Sequence, residues 1–110
     1  MLKSIFSLIL VFASSWSVAN EVNIYTSRHY DSDDQLYEDF RKETGIKINV
    51  ISGNGSALLE RLKSEGANSP ADIFFTVDAG NLWKIQKEGY FQSISSSKAL
   101  SIVPKNLRGP

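Results

Sequence analysis

The chain has no cysteine. Disulfides are excluded, no thiolate can serve as nucleophile or ligand, and thiophilic metals lose their best donor while harder cations remain possible. Neither sign of charge is in excess, with 12 Lys and Arg against 12 Asp and Glu. Such a balance gives no support to nucleic-acid binding or to a strongly steered anionic partner. Beyond the first nineteen residues no apolar run reaches bilayer-spanning length, so that part is expected to be soluble. There is no HExxH helix, no nucleophile elbow and no internal repeat. Histidine occurs once, as His29.

The N-terminus reads as an export signal. Lys3 supplies a positive start, Ile5 to Ala13 an apolar core too short to cross a bilayer, and Ser17-Val18-Ala19 the small residues read by a signal peptidase. Cleavage after Ala19 is expected, making residues 1–19 a signal peptide. A buried N-terminal helix is the other reading. No cysteine follows the apolar core, so a lipid anchor is not supported. Residues 20–110 have the length of one small domain. Lys105 to Pro110 is turn-rich, and we read it as a chain cut in mid-fold, the alternative being a flexible C-terminus.

Val22 to Thr26 alternates strand-forming residues and predicts a first strand. Asp31 to Thr44 predicts a helix, with acids crowding its start, Leu36, Tyr37 and Phe40 on one stripe, and Gly45 as its stop. Ile46 to Ile51 predicts a second strand, and a helix carrying Leu58, Leu59 and Leu62 starts at Ser56 and ends near Gly66. Ala71 to Val77 is nearly continuously apolar and predicts a third strand covered on both faces. A third helix opens at Asp78-Ala79-Gly80 and stops at Gly89, and the serine-rich tail has room for one short helical turn. The order β-α-β-α-β-α with short connections implies an α/β fold with a parallel sheet and right-handed crossovers. Ligands bind such sheets beyond the carboxyl ends of the strands. Three segments leave those ends: Ser27–Tyr30, Ser52–Gly55 and Val77–Gly80.

The first segment carries chemistry. His29 offers an imidazole nitrogen, and Tyr30 offers a phenolate once a highly charged cation displaces its proton. Phenolate is a hard donor suited to ferric iron, and two donors alone cannot enclose a metal. A plainer reading has His29 capping the helix and Tyr30 packing beside it. Gly53-Asn54-Gly55-Ser56 can hold an anion on its backbone N–H groups or be a plain turn, and it lacks the lysine of a phosphate-binding loop. Asp78 is explained as a helix cap, or else faces the ligand. Arg28 either tunes a neighbouring acid through its charge or points to solvent.

Taken in order, these segments resemble the periplasmic ferric-iron-binding proteins of ABC importers. The resemblance is carried by Val22-Asn23-Ile24-Tyr25-Thr26-Ser27-Arg28-His29-Tyr30, by Phe40 to Lys47, by Gly53 to Gly66, by Ser69 to Gly80 and by Leu82-Trp83. It covers nearly all of residues 20–110 in one register, behind a signal peptide. It implies two α/β lobes that close on Fe3+ and deliver it to an inner-membrane permease, with this chain a truncated N-terminal part of the first lobe, a partial periplasmic-binding-protein lobe. By the resemblance, His29 and Tyr30 lie at the iron site, with Tyr30 a ligand and His29 either a ligand or just behind one. Another branch of the family uses a Glu after the third strand, where this chain has Val77, which cannot ligate. The family's remaining tyrosine ligands belong to the second lobe, and Tyr90 does not match them.

The expectation is therefore a monomeric periplasmic protein, not an enzyme, that captures ferric iron for import. Two alternatives stay open: a solute-binding protein for a polyamine, sugar or organic anion, and an exported metal-dependent hydrolase. The first would want aromatic walls or acidic groups where this chain has His-Tyr. The second would want an acid/base pair beside an open metal, and no carboxylates cluster at the strand ends.

Overall fold

The computed structural model describes residues 20–109. Residues 1–19, read above as an export signal, lie outside the described residues. The elements run β1 (Glu21–Thr26), α1 (Asp31–Thr44), β2 (Lys47–Ser52), α2 (Gly55–Glu65), β3 (Ile73–Phe75), α3 (Ala79–Lys87) and α4 (Ser97–Ile102), with 3-10 turns at Gly66–Asn68 and Lys105–Leu107. No helix among the described residues is long and apolar enough to cross a membrane.

The three strands form one parallel sheet in the order β2-β1-β3. Tyr25 stands level with Ile51 and Phe74, and Ile24 with Val50 and Ile73. Side chains alternate across a strand, so Tyr25 and Phe74 share one face while Ile24 and Thr26 point to the other. The core lies on the Tyr25 face. There Tyr25 and Phe74 pack against Leu58, Leu59 and Leu62 of α2 and Ile85 of α3. Each such burial removes enough apolar surface from water to contribute about 1.5–3 kcal/mol. On the other face of the sheet, Tyr37 of α1 shares a recess with Thr26 and Val50.

This arrangement follows from handedness. The connection from β1 turns toward β2 and the later one turns back past β1 to β3, so right-handed crossovers put α1 and α2 on opposite faces. A crevice opens beyond the central strand, where chains leaving β1 and β3 diverge.

Helix α1 has the bounds that its capping pattern predicts. Asp31, Asp33 and Asp34 fill its first turn and Arg41 and Lys42 its last, complementing the helix dipole. Gly45 ends it at φ +71°, a left-handed conformation costly for other residues, and its N–H bonds Arg41 O at 2.9 Å.

Two expectations about packing need correction. The third strand is Ile73–Phe75 alone, not the whole of 71–77, and it is not covered on both faces, because Ile73 is 38% exposed. Ahead of it the Asn23 N–H is taken by the Asp72 carboxylate at 2.8 Å, a side chain standing in for a strand carbonyl. The α1 stripe is only partly covered: Leu36 and Phe40 are exposed and Tyr37 is half-buried.

Candidate metal centre

His29 and Tyr30 sit on the loop between β1 and α1, at the carboxyl end of the central strand. Hydrogen bonds hold the exit of β1 on both sides: Ser27 N–H donates to Phe75 O at 3.0 Å and Gly53 N–H to Thr26 O at 3.1 Å. The Arg28 N–H donates to Thr26 Oγ1 at 3.0 Å. The loop therefore starts from a fixed base. Both rings are exposed, Tyr30 by 56%. Tyr30 occupies the N-cap position of α1 through its backbone alone, its carbonyl accepting from Asp33 N–H at 2.9 Å. The plainer reading, in which His29 caps the helix, is not what the structure shows. Neither ring is spent on a hydrogen bond to another described residue.

All three strand-end segments converge here. A recess of ≈ 250 Å³ brings His29 and Tyr30 together with Arg28, Asp33, Tyr37 and Ser52. A second, of ≈ 280 Å³, places His29 opposite Asn54, Ser56, Val77 and Asn81. His29 borders both. The segments meet closely at Gly55, where a Cβ would lie 3.3 Å from Asn81 Nδ2 and 3.6 Å from Ser27 Oγ, so only glycine fits without displacing a neighbour.

The other candidates fall to structural work. Asn54 caps α2 by accepting from Ser56 N–H at 2.9 Å. Asp78 caps α3, accepting from Asn81 N–H at 2.7 Å and from Asn81 Nδ2 at 2.8 Å. Val77 lines the second recess but has no donor atom. No group of three or more His, Cys, Asp or Glu among the described residues is placed to hold a metal ion. The candidate donors here are thus one imidazole and one phenol, whose phenolate oxygen would suit a hard cation, and two donors are too few to enclose a metal.

Arg28 does not point freely into solvent. Its Nε and Nη2 donate to the two Asp33 carboxylate oxygens at 2.9 and 2.8 Å. Its guanidinium carbon lies 5.1 Å from the centre of the Tyr30 ring and 6.0 Å from that of Phe75. The Arg28 hydrogen bond holds the Asp33 carboxyl below the usual carboxylate range. Burial pushes the Tyr37 phenol up, and the Asp33 charge adds to this. Its hydroxyl is buried with no partner among the described residues. Sequence reasoning missed the pairing of Asp33, which looks like any first-turn acid, and it missed Asn81 on the second recess, while Ser27 lay within the first strand-end segment. The signal for Asp33 was an arginine at a strand end followed by an acid on the first helical turn.

Comparison with known proteins identifies the scaffold. The chain is 52% identical over 90 residues to Iron uptake protein A1 of Synechocystis sp., covering 82% of this chain and 25% of that protein. It superposes with a TM-score of 0.78 on a Trichodesmium protein, IdiA or FutA, solved in complex with iron and citrate, at 57% identity over 83% of this chain and 29% of that one. A ferric binding protein from Campylobacter jejuni superposes with a TM-score of 0.77 at 41% identity, over 80% of this chain and 28% of that one. The chain thus spans about a quarter of the length of the relatives it matches, and its α/β sheet is that of the periplasmic binding proteins. The family profile described as bacterial extracellular solute-binding protein matches residues 25–110, and the chain belongs to that family.

Proposed function

We propose that this chain is the N-terminal part of a periplasmic solute-binding protein that captures ferric iron for an ABC importer, with Tyr30 and His29 contributing donors to the iron. One observation carries the reading. The imidazole and the phenol border one recess past the carboxyl end of the central strand, both exposed and neither hydrogen-bonded to another described residue. Relatives named for iron uptake and ferric binding make iron the fitting cargo. Iron here is substrate, so the site must release what it binds, and a donor set that is incomplete until two lobes close serves that purpose. Residues 1–19 then direct export and residues 20–110 belong to the first lobe. The remaining donors come from outside the described residues, and a membrane permease receives the loaded protein. Binding is the role this reading assigns, in keeping with relatives named for iron uptake and ferric binding.

The test is a ferric-iron titration of the full-length protein followed by visible absorption. Phenolate coordination gives a charge-transfer band. Tyr30→Phe should weaken that band and lower iron affinity on the order of a hundredfold, as losing a direct ligand must exceed the usual loss of a supporting group. An unchanged band and affinity would remove Tyr30 from the site.

A further inference from the structure

We infer that Arg28 is a positioning residue for Tyr30, and that Asp33 holds Arg28 in place. The inference rests on the reading of Tyr30 as an iron donor and adds the device that aims it. A ring as exposed as Tyr30, at 56%, has little packing to fix its rotamer. An unfixed donor must be ordered when the cation arrives, which costs affinity. Here the guanidinium supplies a shelf. It lies 5.1 Å from the Tyr30 ring centre and 6.0 Å from that of Phe75 on β3, so it bridges the loop to the sheet. The two-pronged bond to Asp33 fixes its plane, and the Asp33 N–H bonds the Tyr30 carbonyl at 2.9 Å. Shelf, carboxylate and loop backbone thus form a closed ring of contacts around the donor.

The same pair handles charge. A bare guanidinium beside a trivalent cation would repel it. The Asp33 carboxylate, with its side chain only 12% exposed, neutralises Arg28. Arginine is required because a lysine ammonium is a point charge with neither the planar fork nor the flat stacking face.

The experiment compares wild type, Arg28→Lys and Asp33→Asn in the full-length protein, with two measurements. In the metal-free protein, NMR should show cross-relaxation between the Arg28 side chain and the Tyr30 ring, and both variants should lose ordering of that ring. In the titration, both should bind ferric iron about three- to tenfold more weakly while keeping the phenolate band, since Tyr30 is still a donor. Wild-type ring order and affinity in Arg28→Lys would overturn the proposal, leaving charge as all that Arg28 supplies. Should Arg28→Lys disturb folding, Asp33→Asn decides alone, because it leaves the arginine and frees it. A wild-type protein with an ordered Tyr30 ring and no iron band would uphold the shelf and sink the iron reading instead.

Discussion

Two tyrosines on β1 and its loop have the same kinds of neighbour and opposite surroundings. Tyr25 has an arginine over its ring, Arg61 at 5.2 Å, and that arginine is paired with Glu65 at 2.8 Å. Tyr30 has Arg28 at 5.1 Å, paired with Asp33 at 2.8 Å. The difference is where the hydroxyl goes. Tyr25 Oη donates to Glu65, at 2.9 and 2.7 Å from its two oxygens, and the ring is fully buried. Ser69 Oγ joins the same carboxylate at 2.8 Å. That triad is closed and ties β1 to the end of α2. Around Tyr30 the Asp33 carboxylate holds the arginine, and the phenol hydroxyl has no hydrogen-bond partner among the described residues. An arginine and an acid beside a tyrosine therefore do not mark a clamp by themselves; at Tyr25 the clamp is made by the bond from the hydroxyl to the carboxylate.

The strongest way to break this contrast is to truncate each ring. Tyr25→Ala should cost about 3–5 kcal/mol, as for other buried aromatics, and leave the fold marginal. Tyr30→Ala should change stability by no more than about 1 kcal/mol, the scale of an exposed cation–π contact such as that with Arg28. Urea unfolding of both variants measures this. Similar losses in the two would mean that the Tyr30 ring is also part of the core.

The pH dependence of stability sharpens the contrast further. The Arg61 hydrogen bond and then that of Tyr25 hold the Glu65 carboxyl below its ordinary value. A depressed acid stabilises the fold fully above the unfolded value of about 4.3 and loses that contribution as pH falls through the folded pKa. Burial, and then the bond to Glu65, pushes the Tyr25 phenol up. Its contribution is complete below the unfolded value of about 10 and is lost as pH rises through the folded one. Unfolding midpoints across pH should show both limbs. Glu65→Gln should flatten the acid limb and Tyr25→Phe the alkaline one. A wild-type-like acid limb in Glu65→Gln would show that the triad contributes nothing to acid stability.

What was legible in the sequence was what is local. The acids of Asp31 to Asp34, the Leu36–Phe40 stripe and Gly45 mark α1 to its ends, because caps and dipoles act within a turn. The convergence of three strand-end segments followed from βαβ order, and the recesses bear it out. Contacts between distant residues were not legible. Nothing near Tyr25 announces Glu65, which reaches it from the far end of α2. Hydropathy overran β3 because it registers apolar character and not the bond from Asn23 to Asp72 that shapes the strand's start. Asp33 was hidden by an adequate local explanation as a first-turn acid, although its carboxylate is committed to Arg28.

The smallest predicted effect tests whether a side chain already bonded within the fold is closed to the metal. Asp78 lies at the mouth of the third strand-end segment, where a carboxylate would suit a hard cation. Both of its oxygens are committed, one to Asn81 N–H and the other to Asn81 Nδ2. Like the Tyr25 hydroxyl, it is already bonded. Asparagine caps helices about as well as aspartate, so Asp78→Asn should keep the cap and shift stability by only a few tenths of a kcal/mol. Iron affinity should not move, since no donor is lost. Asp78→Ala should cost about 1 kcal/mol through the cap and still leave iron binding alone. A drop in iron affinity with Asp78→Asn at unchanged stability would place a carboxylate at the metal and show that a capping side chain can be released to ligate, making closure a state of the unloaded protein instead of a fixed property of the residue.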